Sequence, residues 1–286
     1  MCRFTLYLGP DIRLSTLLLE PDHSLIRQST HSRERDEPLN GDGFGVGWYA
    51  KELSGEPAVF RSITPAWNNR NLHNLARVVA SDCILAHVRA ATQSSGVNEA
   101  NCHPFRFQQY LFMHNGDVGN FRRVRRRVLE SVCDEAYTNV YGSTDSENFF
   151  AVCIDELMRQ PPERAPLERL ASALANAIAR VVAIVREHGG AEPSYLNCAL
   201  ADGEHAVVSR YTDDASDSPE SLYYFHGRLY ACIPGDEQRH SSRHGVHPVI
   251  VSSERLTEDR GWEPIPPNHM VLVGRGLSPQ LRAITA

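Results

Sequence analysis

Four short segments carry residues whose types fit one chemistry when taken together. Cys2 follows Met1, and its side chain is small enough for removal of that methionine. A thiol and a free α-amine would then share one residue. An α-amine titrates at about 7.7–8.0, so near neutral pH an appreciable fraction is an unprotonated base. It can take a proton from the thiol, directly or through water, and later return one to a leaving amine. Alone, Cys2 reads first as a small apolar residue at a strand start. Arg89, in Ala86-His87-Val88-Arg89-Ala90, ends an expected strand, and its planar guanidinium fits a carboxylate in bidentate fashion. Alone, it is equally a surface ion-pair residue. In His114-Asn115-Gly116, the Asn115 amide and the Gly116 backbone N–H can point at one spot as an oxyanion hole. Alone, Asn-Gly is a hairpin turn. Asp145, in Gly142-Ser143-Thr144-Asp145-Ser146-Glu147, can bind an ammonium group, and alone it is a helix-start residue. The combination supplies a nucleophile, an oxyanion donor pair, an anion clamp and a cation clamp. Such a set can hold a zwitterionic α-amino-acid head and present its side-chain carbonyl to sulfur. That is what hydrolysis of a γ-glutamyl amide requires.

The elements that must position these groups follow from hydrophobic patterning. Phe4, Leu6 and Leu8 alternate onto one face of a strand. In Gly41-Asp42-Gly43-Phe44-Gly45-Val46-Gly47-Trp48-Tyr49, glycine recurs at every second position. Those glycines share one strand face and leave room for another backbone or a ligand. Further strands are expected at 58–63, 83–89, 110–114, 195–201, 206–211, 222–225, 249–251 and 270–273, and helices at 14–19, 72–80, 121–132, 145–159 and 167–187. Residues 20–42 read as a long polar loop, and the acidic, Ser-rich residues 212–220 as a surface loop. Strand runs with paired helices imply a layered α+β sandwich in a single domain.

Length and composition bound the answer. The 286 residues suffice for one large domain or two small ones at about 150 residues per domain. Hydrophobic residues are 42% and charged residues 22%, which excludes general disorder. The 29 basic residues against 35 acidic ones disfavour nucleic acid as a partner. The most apolar helical stretch carries Glu168, Arg169 and Arg180, which argues against a membrane span, and no secretory signal is visible. Seven cysteines without a CxxC pair point to neither a disulfide framework nor a zinc ribbon, so a reducing cytoplasm is expected.

Other residues invite claims that the pattern does not support. Arg122, Arg123, Arg125, Arg126 and Arg127 read as a solvated helix face that pairs with acids; steering of anionic peptides or docking to an acidic partner is the functional alternative. His240, His244 and His247 have metal-like gaps on a loop-like segment and read as surface, so no metal and no cofactor are expected. His87 and His103 read as structural hydrogen-bonders near the site. Cys83, Cys102, Cys133, Cys153, Cys198 and Cys232 read as small buried residues.

At these motifs the sequence resembles the class II glutamine amidotransferases, members of the N-terminal-nucleophile hydrolases. The resemblance covers Met1-Cys2-Arg3-Phe4, Asn40 to Gly47, His87 to Thr92, Asn101-Cys102-His103-Pro104-Phe105, His114-Asn115-Gly116 and Thr144 to Glu147, in the family's order and spacing. It implies a four-layer αββα sandwich with Cys2 as nucleophile, Asn115 and Gly116 as oxyanion hole, Arg89 as α-carboxylate ligand and Asp145 as α-ammonium ligand. Pro65-Ala66-Trp67-Asn68-Asn69 and Ser252-Ser253-Glu254-Arg255-Leu256-Thr257 extend the resemblance across nearly the whole chain, residues 1–286. They resemble a subgroup that holds the amidotransferase-like subunit of a fungal glutathione-degrading complex and its bacterial relatives. Ala90 departs from synthase-linked members, many of which carry Trp beside the arginine, and this implies a roomier pocket for a substituted γ-glutamyl amide. With no segment left over for an ammonia-accepting synthase, the expected activity is γ-glutamyl amide hydrolysis through a thioester on Cys2. Glutamine, glutathione and other γ-glutamyl compounds share the required head. The competing expectations are a partner subunit with little activity alone and a catalytically silent binding module.

Overall fold

The protein is described here by a computed structural model covering residues 2–34, 39–90, 96–227 and 247–285. Alternation along the first strand sets the architecture. In β1 (Arg3–Arg13), Phe4, Leu6 and Leu8 enter one apolar cluster while Tyr7 and Ile12 enter another on the opposite face. A strand buried on both faces must lie inside a multilayered stack.

One sheet runs β11 (Trp262–Pro264), β9 (Tyr223–His226), β10 (Val249–Ser252), β1, β4 (Ala80–Val88), β2 (Phe44–Trp48), β3 (Ala58–Ser62). The other runs β13 (Gln280–Ala283), β12 (His269–Val273), β8 (Ala206–Arg210), β7 (Tyr195–Ala201), β6 (Tyr110–Asp117), β5 (Phe105–Phe107). Neighbouring strands pair antiparallel in both. Phe4, Leu6, Leu85, Leu111, Met113 and Val208 fill the space between the sheets.

Helices cover both outer faces. Leu14, Leu17 and Leu18 of α1 (Leu14–Leu18), Leu25 of α2 (Leu25–Gln28) and Leu72 of α3 (Arg70–Ala76) pack on the first sheet. Val124 of α4 (Phe121–Glu130), Ala136 of α5 (Asp134–Thr138), Phe149 and Phe150 of α6 (Asp145–Arg159) and Leu174 of α7 (Pro166–Ile184) pack on the second. The order is helices, sheet, sheet, helices: the expected α+β, four-layer αββα sandwich.

The deviations from the sequence reading are short elements. The loop expected at 20–42 contains α2. Ser24 caps it, accepting from the Arg27 amide at 3.4 Å, and Gln28 donates to the His23 carbonyl at 3.0 Å. A four-residue helix presents too little periodicity to be read from pattern, and tertiary bonds define it. α5, β5, β11 and β13 escape for the same reason. Helix α3 ends at Ala76, before the expected residue 80, because Ala80 already pairs with Arg13 in the sheet. The Tyr195–Thr212 bridge opens the acidic segment, where Asp213 and Asp214 bond the Ser194 amide and the Tyr195 hydroxyl.

Among the described residues, no helix is long and apolar enough to cross a membrane, and no cluster of His, Cys, Asp and Glu could hold a metal ion. His247 lies at the edge of the described residues; His240, His244 and Cys232 fall outside them. Cys83, Cys102, Cys153 and Cys198 are buried as expected, whereas Cys133 is only half-buried, capping α5 at the edge of its layer. On α4, Val124 and Val128 are buried, and Arg126 and Arg127 pair with Glu130 on the solvent side. That matches the solvated, acid-pairing face.

Candidate active site

Strand register brings the expected site residues together. In the β1–β4 pair, Phe4 stands opposite His87 and Arg3 opposite Val88. One step further along, Cys2 reaches the level of Arg89. Its thiol points at the Ala90 carbonyl, with Sγ 3.6 Å from the oxygen. By the period of two, Cys2 shares the inter-sheet face with Phe4 and Leu6, and Asn115 shares it with Leu111 and Met113 of the facing sheet. Cys2 and Asn115, the expected nucleophile and oxyanion donor, therefore converge at one end of the sandwich. Cys2, Arg89, Asn115, Gly116 and Asp145 all line one pocket of about 50 Å³. Met1 and residues 91–95 lie outside the described residues.

The glycine-rich strand has the close approach its spacing implies. Gly45 pairs with His87, and a Cβ there would collide with the His103 carbonyl oxygen. At Gly47 it would meet Leu111 Cδ1 at 2.7 Å. The bare face of β2 lets the segment holding His103 pass against the sheet and deliver His103 to the pocket wall.

Gly116 has φ of +147°, a backbone region that disfavours side chains, and its position leaves no room for a Cβ against the Tyr195 carbonyl. His114 fixes the strand just before it. Its Nδ1 lies 2.9 Å from Ser146 Oγ on α6 and its Nε2 lies 3.0 Å from the Tyr195 carbonyl oxygen. His87 Nε2 lies 3.2 Å from the His114 carbonyl oxygen, so the His87 side chain braces the backbone that carries Asn115.

Asp145 opens α6. Thr144 is the cap: its hydroxyl accepts from the Glu147 amide at 3.2 Å, and the Glu147 carboxylate turns back to accept from the Tyr141 and Gly142 amides at 2.9 and 2.6 Å. This is a variant of the reciprocal capping box. It frees Asp145 from capping, and Asp145 Oδ2 instead accepts from the Val118 amide at 2.9 Å. Asn101 ties the opposing rim, donating to the Gly96 carbonyl at 2.9 Å and accepting from the Ser143 amide at 2.9 Å.

The electrostatics favour a neutral resting thiol. Burial pushes the Cys2 thiol up from its usual range, outweighing the Ala90 carbonyl contact and the Arg89 charge. A thiol so held needs a base to become a nucleophile. Burial pushes His87 down to about 3 and His103 well below its usual value. Both imidazoles are neutral near pH 7 and would not readily store a proton. His103 also departs from its expected hydrogen-bonding role. Neither ring nitrogen has a partner among the described residues, and the ring packs 4.1 Å from His87 and 4.4 Å from Phe105, centroid to centroid.

Two pocket features were not read from the sequence. Asp117 lines the pocket one residue beyond Gly116; desolvation and then the Asp145 charge push its carboxyl up. Ser146 buttresses His114. The signal for Asp117 was its place in the His114-Asn115-Gly116 strand end; Ser146 carried none apart from its adjacency to Asp145.

Comparisons with known proteins show the family to which the chain belongs. The family model for class II glutamine amidotransferases matches residues 22–285. The chain is 39% identical over 292 residues to the probable glutamine amidotransferase DUG3 of Saccharomyces cerevisiae, covering 96% of this chain and 82% of that protein. It is 28% identical over 275 residues to a γ-glutamyl-hercynylcysteine sulfoxide hydrolase of Mycobacterium tuberculosis, covering 96% and 93%. A glutamine aminotransferase class-II domain protein from Silicibacter pomeroyi superposes over all of both chains with a TM-score of 0.69 at 28% identity. The glutamine phosphoribosylpyrophosphate amidotransferase of Bacillus subtilis shares the fold over 49% of its length, with a TM-score of 0.60 at 13% identity. Fold, motif order and relatives place this chain in the class II glutamine amidotransferase family.

Proposed function

We propose that this protein hydrolyses γ-glutamyl amide bonds with Cys2 as the nucleophile, the chain acting as one amidotransferase-like unit across residues 1–286. The observation that carries this reading is the convergence of Cys2, Arg89, Asn115, Gly116 and Asp145 on one pocket. The substrate's α-carboxylate pairs with Arg89 and its α-ammonium with Asp145, which leaves the γ-carbonyl facing Cys2. The α-amine of a processed Cys2 takes the thiol proton, and sulfur attacks the carbonyl carbon. The oxyanion accepts hydrogen bonds from the Asn115 amide and the Gly116 N–H. Collapse expels the amine, which takes the proton from the α-ammonium, and a γ-glutamyl thioester remains on Cys2. Water, deprotonated by the same amine, then releases glutamate and restores the thiol.

The pocket wall beside Arg89 is the small Ala90. That supports a substituted γ-glutamyl amide over glutamine alone as substrate, and relatives named both as an amidotransferase and as a γ-glutamyl hydrolase support the same class. Glutamate release from glutamine, glutathione and further γ-glutamyl amides by wild type and Cys2→Ala is the test. Release by wild type and its loss in Cys2→Ala supports the proposal, and release at the original rate by Cys2→Ala refutes it.

A partner subunit is the second reading, carried by the exposed Arg122 and Arg123 beside the paired Arg126 and Arg127. It predicts that an acidic partner raises the turnover of the purified chain. Full turnover of the chain alone, checked as a monomer by size exclusion, contradicts it.

A further inference from the structure

Glu254 is 252 positions from Cys2 in sequence, yet the two are linked through one side chain. Four donors converge on its carboxylate. Arg3 Nε and the Ser32 hydroxyl reach Oε1 at 3.0 and 2.6 Å. His23 Nε2 and the Arg33 amide reach Oε2 at 2.7 and 2.9 Å. Arg3 and Glu254 are 3% and 1% exposed, so this ion pair is shielded from screening by salt. Burial pushes the Glu254 carboxyl up, but the bonds from His23, Ser32, the Arg33 amide and Arg3 overcome it and hold it down to about 2.

The same guanidinium faces the other way. Arg3 Nη1 donates to the Cys2 carbonyl at 2.9 Å, and Nη2 donates to Ser32 Oγ at 3.0 Å. The neighbour of Glu254 completes the grip: the Ser253 amide donates to the Phe4 carbonyl at 3.0 Å, and its hydroxyl accepts from the Phe4 amide at 3.0 Å. Cys2 itself precedes the first strand residue, Arg3, and so lacks a place in the sheet ladder. The bond to its carbonyl fixes the Cys2–Arg3 peptide plane and with it the direction of the Cys2 side chain.

We propose that Glu254 is a positioning residue for the Cys2 nucleophile, acting through the Arg3 guanidinium that holds the Cys2 carbonyl. The inference rests on the reading of Cys2 as nucleophile. It gives the Ser252-Ser253-Glu254 segment, from the far end of the chain, a role in the reaction besides pairing β10 to β1.

Removing one partner of a buried ion pair leaves an uncompensated charge and destabilises the fold, so alanine variants cannot separate position from stability. Arg3→Lys keeps a cation for Glu254 but lacks the planar fork that reaches Glu254 and the Cys2 carbonyl together. In the full chain, three readouts are compared with wild type. They are kcat and KM for glutamate release from a turned-over γ-glutamyl amide, the rate of Cys2 alkylation by iodoacetamide read on the N-terminal peptide, and the thermal melt. The expected result for Arg3→Lys is a fall in kcat of at least about 10-fold, with KM and alkylation within about twofold of wild type. Alkylation needs the thiol but not the orientation that a bound amide needs. A folded Arg3→Lys protein with kcat within twofold of wild type overturns the proposal, as does a loss of kcat that disappears on cooling away from the melt. If Arg3→Lys does not fold, Glu254→Gln decides by the same readouts. Cys2→Ala run alongside separates the two claims: its retained turnover removes the nucleophile reading itself, whereas its loss with unimpaired Arg3→Lys removes only the positioning role.

Discussion

The Asp145 carboxylate accepts a hydrogen bond from the Val118 amide at 2.9 Å, joining the first turn of α6 to the chain three residues beyond Asn115. One residue thus serves two elements of the site. One oxygen anchors the chain just beyond β6, and in the proposed reading the carboxylate charge faces the pocket where an ammonium would sit.

The two roles separate by substitution. Asp145→Asn keeps a carbonyl acceptor for Val118 and removes the charge, so KM for γ-glutamyl substrates should rise about 10-fold or more while the melt changes little. Asp145→Ala loses both and should lower kcat as well. Steady-state kinetics and thermal melts on the two variants check this; equal KM values in wild type and Asp145→Asn contradict it.

Asn115 is 2% exposed at the end of β6, with its backbone opposite Asn197. Asn115→Ala should reduce kcat by about 10²–10³ with KM nearly unchanged, the usual cost of losing one oxyanion donor. Glutamate-release kinetics provide the measurement, and a change confined to KM would show that Asn115 binds the ground state instead.

Gly116 is constrained by conformation and by space, with φ of +147° and the Tyr195 carbonyl where a Cβ would be. Gly116→Ala should destabilise the fold by about 1–3 kcal/mol and displace the oxyanion donor. Urea denaturation measures the first effect, and kcat at a temperature well below the melt measures the second.

Much of this site was legible because it lies at the ends of long, strongly patterned elements. Alternation in Phe4-Thr5-Leu6-Tyr7-Leu8 marks β1, and the run from Thr144 carries its own cap and acids at the start of α6. What the sequence did not reveal depends on contacts between distant segments. The strand register that sets Cys2 beside Arg89, the pairing of His114 with Ser146, and the four bonds to Glu254 all join segments that pattern cannot relate. The same limit hid α2, which is defined by Ser24 and by the bonds of Gln28 to His23 and Glu254. His103 departs from expectation for the opposite reason. A histidine in a motif suggests hydrogen bonding, whereas this ring is packed between His87 and Phe105.

The buried histidines predict an acid sensitivity. Burial lowers His87 to about 3, despite its bond to the His114 carbonyl. The unfolded chain, with histidine near 6.5, binds that proton more readily. Stability from His87 is therefore fully present above about pH 6.5 and is lost as pH falls toward 3, by about 1.4 kcal/mol per pH unit. Urea denaturation of wild type between pH 6.5 and 5, a window above most carboxylate titration, should show this loss together with a parallel one from the equally buried His103. His87→Gln, which retains a donor for the His114 carbonyl, should show a shallower one; identical slopes contradict the assignment.

In the proposed reaction the sulfur of Cys2 carries the γ-glutamyl group. Acid quenching during turnover of a γ-glutamyl amide, followed by peptide mass spectrometry, reads it directly. The expected result is an N-terminal peptide beginning at Cys2, without Met1, with a transient adduct of one glutamyl group on that cysteine and none in Cys2→Ala. Turnover by a chain that retains Met1, or an adduct on any other residue, would contradict it.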